Sequence, residues 1–186
     1  MMLHKKTNKA GISFIEVLVI LLLMSLFMSF AAPRFLTTQR GRVKKEFFQN
    51  FTTLVADTAY QAVISKKIHQ IFWDLGKREI VVKIYDENSA EQGKHAKFKP
   101  VPAGTFHSRM KLAPSLSIQN FFINGKDEVT SGVQMTTVFT YIMPDGTSQP
   151  VLVNIQDDNE TANNRFSIKI NPFYSQVSLH DTFEKP

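Results

Sequence analysis

The sequence predicts an α+β fold: a long N-terminal helix packed on an antiparallel β-sheet or sandwich domain. Three observations carry this. Residues 12–32 are apolar apart from Glu16 and three serines. That run exceeds the 7–15 apolar residues of a secretory signal and meets the ~20 residues that span a bilayer core. Apolar residues then continue at helical spacing to about residue 65. Beyond it, short segments rich in β-branched and aromatic residues alternate with turn signals. A chain of 186 residues, 43% hydrophobic, suits one soluble domain plus an anchor.

The first element is the N-terminus, where Lys9-Ala10-Gly11-Ile12-Ser13-Phe14-Ile15-Glu16-Val17 leads into Leu18–Ala32. Glu16 is the single charge in the apolar run. A carboxylate deep in a membrane costs roughly 2.5–3.5 kcal/mol on insertion scales, and less near the interface, so it marks a functional residue. A cleaved secretory signal fits badly, because no small-x-small site follows cleanly. A plain anchor fits the length and leaves Glu16 without a purpose.

The stretch Gly11–Val17 resembles the class III signal of type IV prepilins and pseudopilins. The resemblance implies that a membrane-bound prepilin peptidase cuts between Gly11 and Ile12 and that the new N-terminus at Ile12 is N-methylated. It makes Glu16 the fifth mature residue, where the family places its filament-assembly glutamate. Ile12 departs from the family's more frequent Phe, and Pro33 matches a frequent helix break. In a filament whose apolar helices bundle and exclude water, Glu16 must be paired or protonated. The cleaved chain offers the α-amine of Ile12 on a neighbouring subunit as partner, a pair that would set axial register. The implied organisation is a leader over 1–11, a transmembrane and filament-core helix over 12–33, an amphipathic half over 34–65 and a β-rich domain over 66–186.

Charge bounds the partners. The formal charge is +6. Cleavage removes Lys5, Lys6 and Lys9, leaving 19 basic against 16 acidic residues. The mature chain is only mildly basic, so the whole-chain charge overstates any attraction to nucleic acid. Orientation is ambiguous from charge alone, since Arg34, Arg40, Arg42, Lys44 and Lys45 flank the far end of the apolar run. The resemblance resolves it, because the peptidase acts on the cytoplasmic side. It implies a single-pass protein of the bacterial inner membrane with a periplasmic C-terminal domain. The basic cluster would meet lipid headgroups or acidic neighbours in the filament.

Past Pro33, the positions Phe35, Val43, Phe47, Phe51, Leu54, Val55, Ala59, Ala62 and Val63 form one stripe at spacings of three and four. Pro33 kinks a helix without ending it and Gly41 weakens it, so the reading is one helix over about 12–65. Ile68–Leu75 and Glu79–Tyr85, with Gly76-Lys77 between them, read as a hairpin. The competing reading extends the helix to Leu75, with Gly76 closing it. Asp86–Lys99 is polar and aperiodic, a long loop. Further strands are expected at Lys111–Leu112, Ser117–Ile123, Gln134–Ile142, Val151–Gln156, Arg165–Ile170 and Gln176–Leu179. Turn signals separate them at Asn124-Gly125, Pro144-Asp145-Gly146, Asp157-Asp158-Asn159 and Asn171-Pro172. Such spacing suggests an antiparallel sandwich or paired small sheets.

In this half, Leu112–Ile118, Phe139–Ser148, Phe166–Ile170 and Val177–Leu179 resemble the C-terminal domain of H-type minor pseudopilins. These are the GspH/FimT-like proteins of type II secretion systems and type IV pili. The aromatic-x-aromatic strand, Pro-Asp-Gly turn, paired strands and short closing strand come in that family's order. The segment 86–108 has no counterpart there.

Little else points to chemistry. The chain has no cysteine, which removes disulfides and thiolate metal sites. His4, His69, His95, His107 and His180 are scattered, no metalloprotease helix motif or phosphate loop occurs, and no triad spacing stands out. The expectation is a protein without catalytic site, metal or cofactor. Asp157-Asp158-Asn159-Glu160 offers oxygen ligands to calcium without the EF-hand spacing, and a solvated turn is the commoner outcome. Lys94, Lys97, Lys99, Arg109 and Lys111, with His95 and His107, form a candidate phosphate-contacting patch for DNA. A solvated charged loop is the favoured reading. Phe121-Phe122 cannot both face one side of a strand.

The resemblance implies a minor pseudopilin of a type II secretion system, at or near the tip of the pseudopilus. The alternative is a minor type IV pilin in pilus assembly or DNA uptake. The implied partners are the prepilin peptidase, other major and minor pseudopilins or pilins, and an inner-membrane assembly platform.

Overall fold

The structure, a computed structural model, describes residues 13–39, 41–86, 98–102, 104–129, 136–159 and 165–186, with backbone alone over 30–39. The chain divides into two compact units, Met1–Arg42 and Val43–Pro186.

Helix α1 spans Phe14–Gln39 and helix α2 spans Arg42–Ser65. The single helix expected over 12–65 is therefore interrupted. The cause is Gly41, whose φ of +71° lies in the left-handed region that glycine enters without a Cβ penalty. Pro33, where the anchor was expected to give way to the amphipathic half, lies inside α1. Losing one backbone donor does not end a helix whose next residues still pair.

α2 ends at Ser65, as its pattern predicted, and buries Phe47, Phe51, Leu54, Val55, Thr58 and Ala62. These lie three and four residues apart, a single face. Thr58 is polar in that face but satisfied, its Oγ1 donating to the Leu54 carbonyl at 2.6 Å.

Among the described residues ten strands follow: β1 (His69–Asp74), β2 (Glu79–Tyr85), β3 (Phe98–Pro100), β4 (Arg109–Lys111), β5 (Leu116–Ile123), β6 (Lys126–Asp127), β7 (Thr137–Ile142), β8 (Val151–Asp157), β9 (Arg165–Ile170) and β10 (Val177–His180). They form two antiparallel sheets. The first has the order β3-β2-β1-β7, with β4 also on β2. The second has the order β10-β9-β8-β5-β6. The hairpin reading of 68–85 holds, with Trp73 opposite Ile80. Its turn is closed by Asp74, whose Oδ1 accepts from the Lys77 amide at 2.8 Å. Asn124 and Gly125, at φ +52° and +80°, make the two-residue turn between β5 and β6 that requires two left-handed residues.

β3 and β6 were not expected, and β4 begins two residues before the predicted Lys111–Leu112. β3 falls in what the sequence offers as the end of a loop, and β6 directly follows the Asn124-Gly125 turn signal. β3 and β4 are three residues long and pair with successive parts of β2's outer edge. Segments this short leave no readable alternation.

The core gathers where α2 and both sheets meet. The Phe47 and Phe51 rings stack at 5.8 Å, Phe51 lies 5.1 Å from Trp73, and Trp73 meets Phe121 edge-on at 5.1 Å. Phe166 approaches Phe47 from β9 at 6.2 Å. Phe51, Trp73 and Phe121 come from helix, first sheet and second sheet in turn, so the aromatic chain ties helix to first sheet and first sheet to second. Phe121 is fully buried here. Phe122 points to the far face of the second sheet, beside Leu152 and the C-terminal Pro186. On that face Asn154 holds the tail through both backbone groups of one residue, donating to the Glu184 carbonyl at 3.0 Å and accepting from the Glu184 amide at 3.2 Å.

Candidate functional site

The sequence places the functional residues at the start of α1. Gly11 and Ile12 lie outside the described residues. Glu16 sits in the first turn of α1, and the Ser13 carbonyl accepts from the Glu16 amide at 2.9 Å and the Val17 amide at 3.2 Å. Ser13 thus precedes the helix as its N-cap, with Glu16 three residues on. That is the Ser-x-x-Glu pattern of a capping box, a local signal the sequence reading passed over. An acidic side chain in this turn also faces the positive end of the helix dipole. Glu16 therefore has a helix-starting role available besides any intersubunit one.

The surface of α1 is the unusual feature. Every large apolar side chain from Phe14 to Met28 is exposed, Phe14 at 82% and Phe27 at 78%. The residues Val17 to Met24 run through more than two full turns and none falls below 43% exposure. Among the described residues of α1 no face is buried. A helix apolar all round takes its partner from a membrane or from other helices. Among the described residues no helix is long and apolar enough to cross a membrane. The described side chains of α1 end at Ser29, short of the ~20 residues a span needs.

The basic cluster after α1 is partly turned inward. Lys44 reaches across its own domain to Asp181 at 2.5 Å and lies 5.4 Å from the Phe166 ring. The lysine–carboxylate pair holds the exposed Asp181 carboxyl below its usual range. Lys44 is thus engaged with the C-terminal tail and not held out toward headgroups.

Of the candidate nucleic-acid contacts, Lys94 and Lys97 lie outside the described residues. The structure brings Lys99, Arg109 and Lys111 to the same edge of β2, on β3 and β4. Each has a carboxylate beside it. Lys99 bridges to Asp86 at 2.5 Å, and Arg109 to Glu79 at 3.1 Å. Lys111 is the cross-strand partner of the same Glu79. The acidic loop behaves as a turn. Asp157 Oδ1 accepts from the Asn159 amide at 3.1 Å, and Asp158 Oδ1 from Gln156 Nε2 at 3.2 Å. Among the described residues no group of acidic and histidine side chains is arranged to hold a metal ion.

Two groups inside the domain have displaced titrations. Burial pushes the His69 imidazole below its ordinary value, opposed by its contact with the Lys67 carbonyl at 3.0 Å. Burial likewise lowers Lys83, against the attraction of Asp74, with its ammonium 3.4 Å from the Phe72 ring centroid. Lys83 belongs to an aromatic belt on the outer face of the first sheet. There Tyr85, Phe98, Tyr141 and Phe139 follow one another at 5.6 Å. The period-two pattern of β2 and β7 gave these residues a common face, but only the pairing of β3 with β2 and of β7 with β1 made them one row.

The fold is that of minor pseudopilins. Two solved structures of the minor pseudopilin EpsH from the type II secretion system of Vibrio cholerae superpose on this chain. One matches with a TM-score of 0.54 at 12% identity over 76% of this chain and 96% of the other. The second gives 0.52 at 11% identity over 73% and 94%. No family model and no curated protein sequence matches the chain. The α+β architecture and the H-type pseudopilin resemblance read from the sequence agree with these structures.

Proposed function

We propose that this chain is a minor pseudopilin of a type II secretion system, anchored in the inner membrane by α1, processed between Gly11 and Ile12, and built into a filament near its tip. The observation that carries the reading is a pseudopilin fold preceded by a helix whose described apolar side chains are exposed on every side. Burial of that surface against lipid, and then against other α1 helices, would stabilise the inserted and assembled states. Glu16 is the one described charge in the first turns of α1 and would pair with the α-amine of a neighbouring Ile12. Breaking a buried pair by removing one partner costs roughly 3–5 kcal/mol. The role is mechanical, and the reading assigns it no catalysis and no cofactor.

The intact mass of the protein from membranes of cells with an active prepilin peptidase tests the assignment. The expected species begins at N-methylated Ile12. A full-length chain, with the peptidase active on another substrate, would overturn it. Glu16→Ala should insert normally and fail to enter filaments. Glu16→Gln separates the two roles of the residue, since the amide keeps the capping geometry and loses the charge. If the Gln variant assembles like the parent, Glu16 serves the helix start and not the intersubunit pair.

A further inference from the structure

We propose that the outer edge of β7 is a docking site for a single extended segment of a partner protein, added as a strand and carrying uncharged, β-branched or apolar side chains at alternate positions. The site lies in the β domain and does not depend on how the N-terminus is processed.

β7 is the last strand of the first sheet, paired on one side with β1. Its other side is traced by Tyr141, which donates its amide to Gln149 Oε1 at 3.1 Å and accepts from the Gln149 amide at 3.4 Å. The Thr136 carbonyl, by contrast, accepts from Leu75 on the β1 side at 2.8 Å. Backbone groups alternate sides along a strand, so the amides and carbonyls of Thr137 and Phe139 point away from β1, like those of Tyr141. Among the described residues nothing pairs with them. Donor and acceptor pairs recurring about every 6.8 Å along a line are matched by another extended backbone and by little else.

Natural edge strands carry lysine, proline or a bulge that discourages pairing. Thr137-Val138-Phe139-Thr140-Tyr141-Ile142 has no charge and no proline, and its register with β1 is unbroken. Gln149 guards only the Tyr141 end. Beside the open part lies a cavity of about 850 Å³. Thr137, Phe139 and Tyr141 form one wall, and Ile123, Lys126 and Glu128 of the β5–β6 hairpin form the other. Its two opposite charges leave it without net charge, which fits an uncharged guest. The same hairpin decides the form of the guest. With the hairpin as its far wall, the cavity beside the edge suits a lone strand.

The experiment is backbone amide exchange on the full-length chain in detergent micelles, with and without the peptide acetyl-Val-Thr-Val-Thr-Val-Thr-amide. In the free protein the Thr137 and Phe139 amides should exchange faster than those of Val138 and Thr140. The peptide should slow Phe139 saturably, by about tenfold or more. The same peptide N-methylated at alternate amides should not. Phe139→Pro should lose the protection of Thr137 by peptide while keeping the thermal midpoint, because proline is tolerated where a strand N–H faces outward. Protection of Phe139 without peptide would mean that the edge is already covered, for instance by residues 130–135, and would overturn the proposal. So would the absence of saturable protection, or equal protection by the N-methylated peptide. Should the proline variant unfold, the N-methylated peptide still decides.

Discussion

α1 and α2 are neighbours in sequence and close in length, 26 and 24 residues, yet they use their apolar side chains in opposite ways. α2 places six residues on one face and buries all of them against two sheets. α1 is apolar on every side over its described length and buries none. A stripe fits a partner within the same chain. A helix without a polar face fits only surroundings that are apolar all round. Gly41, between them, is where the chain passes from one regime to the other.

The strongest way to break this contrast is to cut one aromatic from each helix. Phe51→Ala removes a ring packed between Phe47 and Trp73 and should cost about 3–5 kcal/mol in denaturant unfolding. Phe27→Ala, at a residue 78% exposed, should leave the unfolding midpoint where it is. A comparable loss from Phe27→Ala would mean that α1 contributes to the domain's own stability.

Next in size is a pH effect confined to the α2 side of the comparison. His69 is buried and its folded pKa lies below the ordinary 6.5. Above pH 6.5 the imidazole is neutral in both states and contributes nothing. Below it the unfolded chain takes up the proton first, so stability falls with pH until the folded pKa is reached. Urea midpoints measured below pH 6.5 should fall less steeply for His69→Gln than for the parent.

Two smaller tests sharpen the boundary. Gly41→Ala meets no atom within 4 Å, so only its positive φ opposes the change. The junction should shift toward helix by roughly 1 kcal/mol, read as added helical ellipticity without a change in the domain midpoint. Asp181→Asn removes the charge that Lys44 contacts on an exposed tail and should leave the thermal midpoint unmoved.

Much of this molecule is legible from the order of its residues. The all-round apolar run, the stripe ending at Ser65 and the hairpin from His69 to Tyr85 are local features, set by spacing within one segment. So are the left-handed turn at Asn124-Gly125 and the strand Arg165–Ile170. What the order of residues left open is which segments meet. Nothing near Lys44 in the sequence announces Asp181, 137 positions away. Nothing in Lys99 and Arg109 shows that Asp86 and Glu79 stand beside them. The alternation of Thr137–Ile142 says which side chains share a face, but not that one side of the strand lacks a neighbour. Periodicity fixes the direction of a side chain relative to its own backbone, because that depends on local geometry alone. Pairing, edge position and the balance of charge on a surface depend on segments far apart in the chain, and only the folded structure brings those together.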